Sequence, residues 1–174
     1  MNIKRKSFKP VSFVLAILAA VTISCNTTNP PTANSGLIVS TVTSGTGGSY
    51  APKNVVAIWI ENSSGTFVKS LTVYAAERKY DLTNWGSSSN ENTTDAVTGA
   101  TRSGFGTIYG IWDGTDVKGA VVADGTYNVC MELTDKSTTG NFSTFSFTKG
   151  ATAQTLTPAN VPSFSKISIK WMPL

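Results

Sequence analysis

Thr98 carries a hydroxyl that becomes a nucleophile once a base takes its proton, and it lies in the run Asp95-Ala96-Val97-Thr98-Gly99-Ala100-Thr101. Gly99 and Ala100 bring almost no side chain, so another molecule can close on the backbone there, and Gly99 has access to turn conformations barred to larger residues. Asp95, three residues before the hydroxyl, can bond the Thr98 amide or hydroxyl in an Asx-type turn, which gives it a positioning role rather than a catalytic one. The run Asn90 to Thr94 is polar without a strand signal, and Arg102-Ser103-Gly104 closes the segment. The pattern predicts an exposed loop, reachable by a modifying enzyme.

The form Asp-x-x-(Ser/Thr)-Gly-Ala-Thr resembles the sites at which bacterial flavin transferases attach FMN covalently. Such sites occur in the FMN-carrying subunits of sodium-pumping quinone reductases, in Rnf-type electron-transfer complexes and in related extracytoplasmic FMN-binding proteins. The resemblance covers seven residues. It implies that the Thr98 hydroxyl attacks the FAD pyrophosphate inside a transferase that supplies the base, leaving FMN on a phosphoester, with no catalytic residue in this chain. Asp95 then serves recognition, and Gly99, Ala100 and Thr101 give close access and complete the site. Backbone amides of the turn would cradle the phosphate, and Arg102 would pair with it. Trp85, Tyr80 and Tyr109 are the aromatic residues near enough in sequence to pack on an isoalloxazine ring. Each assignment competes with an ordinary one: core or rim packing for the aromatics, a solvated cation for Arg102, and a polar turn without cofactor for the motif.

The chain contains no histidine. Ser-His-Asp and Cys-His catalysis, most zinc sites, c-type haem attachment and Rieske centres are thereby excluded. A calcium reading of Asp113 and Asp116 lacks the EF-hand spacing and its terminal Glu, so Asp113-Gly114 and Asp124-Gly125 read as structural turns, and no metal ligand is assigned. The formal charge of +4 resides in Lys4, Arg5, Lys6 and Lys9, beyond which ten Lys/Arg face ten Asp/Glu. With no basic patch left to release counterions, nucleic-acid binding is disfavoured.

Residues 1–24 have the form of an export signal: the basic start, an apolar run from Val11 to Ile23, and small Ser24 before Cys25. The apolar run is too short to span a bilayer core of roughly 30 Å as a helix. Ser24-Cys25 resembles a lipobox, which implies a lipid on Cys25. Thr22 departs from the usual aliphatic residue three before the cysteine, which leaves ordinary signal cleavage as the alternative. Residues 25–35 read as a flexible tether to the membrane. Cys130, the other cysteine, then has no disulfide partner. Alternation in Tyr127 to Leu133 sets Cys130 on the opposite strand face from Tyr127, Val129, Met131 and Leu133, as a small buried residue.

Residues 36–174 are expected to form one all-β domain, an Ig-like antiparallel sandwich. Strand signals fall at Leu37–Thr43, Asn54–Glu61, Thr66–Tyr74, Phe105–Trp112, Gly125–Thr134, Asn141–Thr148 and Phe164–Trp171, without convincing amphipathic helices between them. Ala75 to Trp85 has room for one helical turn. Glu61-Asn62-Ser63-Ser64-Gly65 is the form of a hairpin loop ending in a left-handed residue. Trp112 to Gly119 followed by Ala123 to Tyr127 resembles a pattern of Ig-like modules in exported bacterial proteins.

Gly47-Gly48-Ser49-Tyr50-Ala51-Pro52, Val56 to Glu61, Arg78-Lys79-Tyr80, Asp95 to Arg102 and Trp112 to Asp116 together resemble a family of predicted periplasmic proteins, domain of unknown function 2271. A Glu-His-Gly segment common in that family has no counterpart in Thr134 to Gly140, so no role of its histidine carries over. These resemblances lead to a lipid-anchored envelope protein that carries FMN on Thr98. Its partners are a flavin transferase and a membrane or periplasmic redox protein, and it faces the periplasm or cell surface. The alternative is a non-redox Ig-like binding or structural module with no cofactor.

Overall fold

The computed structural model describes residues 35–92, 94–95 and 98–174, with Thr98 described by its backbone alone. The signal segment, Cys25 and the tether up to residue 34 lie outside the described residues. Nine strands and one short helix follow in order: β1 Gly36–Thr43, β2 Val55–Asn62, β3 Phe67–Tyr74, α1 Thr83–Ser89, β4 Thr98–Gly99, β5 Thr107–Trp112, β6 Gly125–Thr134, β7 Asn141–Lys149, β8 Gln154–Leu156 and β9 Phe164–Met172. One sheet has the order β5-β1-β9-β8 and the other β4-β3-β2-β6-β7. The expected sandwich forms, antiparallel throughout except where β4 runs parallel to β3.

Alternation decides which side of each strand enters the core. Val39, Ile58, Ile60, Val129, Met131, Leu133, Ile167 and Ile169 meet between the sheets, where each buried aliphatic side chain contributes about 1.5–3 kcal/mol. Trp112 anchors one end, with ring centroids 5.2 Å from Tyr127, 6.1 Å from Phe147 and 6.2 Å from Trp171. The Tyr127 hydroxyl donates to Ala123 O at 2.7 Å, the tie of a tyrosine corner in Ig-like sandwiches.

On the outer face of the larger sheet, Val55, Ala57, Trp59, Val73, Leu82, Trp85 and Cys130 form a second, smaller core. Cys130 thus takes the opposite face from Tyr127, Val129, Met131 and Leu133, as alternation predicts, and is fully buried. Burial, then the nearby Glu61 charge, push its thiol up to about 12, against a bond with Thr144. The predicted hairpin is present: Gly65 N donates to Asn62 O at 3.0 Å with Gly65 at φ 80°. Asp113 accepts from Thr115 N and from Lys69 Nζ, Asp116 from the Lys118 and Ala120 amides, and Asp124 from Lys149 Nζ.

Three elements differ from the expectation. The helical turn anticipated in Ala75 to Trp85 is a 3-10 turn at Lys79–Asp81, and an α-helix extends past it to Ser89. Its sequence, Thr-Asn-Trp-Gly-Ser-Ser-Ser, has weak helix propensity, so tertiary contacts supply the stability. Buried Glu132 accepts from Asn84 N, Asn84 Nδ2 and Trp85 N, satisfying amides that the first helical turn leaves open. Strands β4 and β8, two and three residues long, carry too little periodicity to be seen alone.

Candidate acceptor site and its flanking clefts

The motif lies against the free edge of β3. Val73 pairs with Thr98 and Tyr74 with Gly99 in parallel register. Earlier in the segment, the Asp95 carboxylate reaches the same strand, its Oδ2 accepting from Ser70 N at 2.9 Å. Asp95 thereby supplies an acceptor to the edge of β3 three residues before Val73. Its second oxygen, Oδ1, is buried and has no partner among the described residues.

Gly99 has a different reason from the one its type suggests. Its φ is not positive, so no left-handed turn demands a glycine. A Cβ there would sit 2.6 Å from Tyr74 Cε1, against the edge of the ring. A larger residue there would need the Tyr74 ring on the paired strand to move. The segment is accordingly less of an open loop than the sequence suggests: Ala100 is exposed, while Asp95, Gly99, Thr101 and Arg102 are half-buried.

Two clefts flank the segment. One, of about 380 Å³, is lined by Tyr50, Lys53, Arg78, Ala100, Thr101 and Ser103 among others; the second, of about 420 Å³, by Val73, Ala75, Ala76, Lys79, Trp85, Gly99 and Ala100. Both volumes fall in the range of small-molecule sites. In the first cleft the Arg78 guanidinium lies 3.9 Å from the Tyr50 ring centroid, its Nε bonded to Asp81 at 2.8 Å and an Nη bonded to Lys136 O at 2.5 Å. Its Nη1 and the Thr101 hydroxyl oxygen are buried without partners among the described residues. The loop bearing Tyr50 is fixed by Asp135, which accepts from Thr46 N at 2.9 Å and Gly48 N at 3.1 Å as well as from the Thr46 hydroxyl. Burial opposes the Asp135 charge, yet these bonds hold its carboxyl below the usual carboxylate range.

Arg102 stands on an isolated bridge to Asn54. Its Nε donates to Gly104 O at 3.3 Å, and its guanidinium is 5.4 Å from the Tyr74 ring centroid. Burial pushes its pKa down, opposed by Tyr74, and it remains a cation. Of the three aromatics singled out by sequence proximity, Trp85 alone lines a cleft beside the motif; it is fully buried, with Nε1 donating to Ser70 Oγ at 2.9 Å. Tyr80 is exposed and lines a separate cleft with Leu82 and Gly86. Tyr109 sits on β5, where its backbone oxygen accepts from Thr72.

Sequence reasoning missed Ser70, Tyr74, Tyr50 and Arg78 as neighbours of the motif. Tyr50 and Arg78 stand in segments that carry the family resemblance, and the fold brings those segments to one end of the sandwich. Nothing in the sequence marks Ser70 and Tyr74, which belong to a distant strand.

The chain belongs to the family of predicted periplasmic proteins designated DUF2271, which matches residues 40–161. That span contains the motif and both clefts, and the family's description agrees with export to the cell envelope. No curated protein and no solved structure matches the chain.

Proposed function

With membership of a periplasmic family as premise, we propose that the protein is an envelope electron carrier bearing FMN covalently on Thr98 and held to a membrane by a lipid on Cys25. The observation that carries the reading is the seating of a flavinylation-type segment at a sheet edge between two clefts. Unpaired polar atoms of Thr101 and Arg78 border one of them, and Val73, Ala75, Ala76 and Trp85 wall the other.

In the modification, Thr98 Oγ bonds to the FMN-side phosphorus of FAD and the pyrophosphate P–O bond breaks. AMP leaves with the bonding pair, and the hydroxyl proton passes to the base of the flavin transferase. When bound, FMN supplies reversible redox chemistry that the side chains lack. The chain's own residues hold the group. Asp95 and Gly99 fix the segment to β3, and Lys53, Arg78 and Arg102 supply positive charge around it, with Glu77 opposing on the rim. Val73, Ala75, Ala76 and Trp85 would shield the group from water on the side they line. Electrons come from a membrane or periplasmic reductase and go to a second partner; the tether confines the exchange near the membrane.

The test is intact mass with in-gel flavin fluorescence on the exported domain co-expressed with a flavin transferase, wild type beside Thr98→Ala. Wild type gains FMN minus water and fluoresces, and the variant does neither. An unmodified wild type, while a known substrate of the same transferase is labelled in parallel, overturns the reading and leaves a non-redox Ig-like module.

A further inference from the structure

We infer that the substrate of flavin attachment is the β3-docked form of the segment, with the Ser70 amide as its positioning group and the Tyr74 ring as the neighbour that keeps position 99 a glycine; this rests on the proposed flavin attachment. Two contacts bracket the acceptor. Upstream, Asp95 Oδ2 takes the Ser70 N–H at 2.9 Å. Downstream, Gly99 lies at the Cδ1–Cε1 edge of the Tyr74 ring, and between them Thr98 pairs with Val73. The acceptor is thus held in register by its neighbours on both sides.

The spacing of the motif follows from this geometry. Asp95 precedes Thr98 by three residues, the number that separates Ser70 from Val73, so the Asp95 carboxylate meets the Ser70 amide while Thr98 and Gly99 pair with Val73 and Tyr74. Because β4 ends the sheet, its outer edge stays open, and an unpaired strand edge is a surface on which a partner enzyme can lay its own backbone. Gly99 serves the fit to Tyr74 in this chain, a role separate from giving the transferase room.

The two roles of Gly99 predict opposite outcomes in one experiment. Loading by a flavin transferase is followed by intact mass over time for wild type, Gly99→Ala, Tyr74→Ala and the double variant. Hydrogen exchange at the Ser70 amide is recorded on each unloaded protein. Gly99→Ala is expected to lose Ser70 protection and load at least about tenfold more slowly, while adding Tyr74→Ala to it restores both by removing the ring that the new methyl meets. Asp95→Ala likewise exposes Ser70 and slows loading, and Asp95→Asn, which keeps an acceptor oxygen, restores much of it. These variants touch no buried core strand apart from Tyr74, whose single variant reports any general loss of fold. A double variant that loads as poorly as Gly99→Ala overturns the inference, as does Ser70 exchange unaffected by Gly99→Ala. A wild type that never loads defeats the flavin reading instead, and the exchange data still decide whether the segment is docked.

Discussion

Asp135 shows how one carboxylate shapes the site without touching it. It is fully buried and binds three donors of the Thr46–Gly48 turn, and Tyr50 N bonds its backbone oxygen at 3.0 Å. The same loop brings Tyr50 against Arg78. Because its folded pKa lies below the unfolded value of about 3.9, the stabilisation is present above about pH 4 and is lost as pH falls through the folded value. Asp135→Asn should therefore cost about 1–3 kcal/mol at neutral pH, with the gap to wild type closing below about pH 4. Urea midpoints across that range measure it. A constant gap at every pH would mean that shape, and not charge, holds the loop. The neighbouring residues were unequally legible. The proposal for Thr98 comes from its motif, whereas the constraint on Gly99 does not, because the Tyr74 ring that crowds it lies 25 positions earlier.

Among the elements, α1 illustrates local propensity overridden by tertiary contact. Its Ser- and Gly-rich sequence gives little reason to be helical, and no side chain at its own N-cap closes the first turn. Glu132, on β6, reaches across to do so, while Trp85 buries its ring in the outer core. Glu132→Ala should remove hydrogen-exchange protection from the α1 amides and destabilise the domain by about 3 kcal/mol, since several buried donors are left unpaired. Retained protection would show that burial of Trp85 suffices to hold the turn. As α1 also walls the aliphatic cleft through Trp85, the variant should disturb that cleft while leaving the cleft bordered by Tyr50 and Lys53 in place. The strands behave differently: β1, β2, β3, β5, β6, β7 and β9 fall within two residues of the boundaries expected from β-branched and aromatic alternation, because each must bury one face against the other sheet.

At the scale of the molecule, the start of β1 and the motif lie at opposite ends of the sandwich. Gly36 opens β1 beside Trp112, whereas Thr43 closes it beside Gly106 and Phe164, at the end where Asn54 bridges Arg102. The eight residues of β1 separate the two ends by about 23 Å. On the proposed lipid anchor, the attachment point at Gly36 lies at the end of the sandwich away from the acceptor segment. Deleting Asn26 to Pro30 should leave flavin loading within about twofold of wild type, read by intact mass on membrane-bound protein. A loss of about tenfold or more would mean that the modifying enzyme needs the reach of the full tether.

The sequence by itself determined the sandwich, the two-faced placement of Cys130, the hairpin at Asn62–Gly65, the neutral balance of the exported part and the candidate acceptor. Each of these depends on local alternation, composition or a short motif. Tertiary structure alone decided that the motif is a parallel edge strand and that Asp95 serves Ser70. It also decided that Gly99 answers to Tyr74, and that Tyr50, Arg78 and Thr101 border one cleft. Those relations join residues tens of positions apart. Alternation fixes which face a side chain takes, whereas its partner depends on how the sheets are ordered and where their edges remain free.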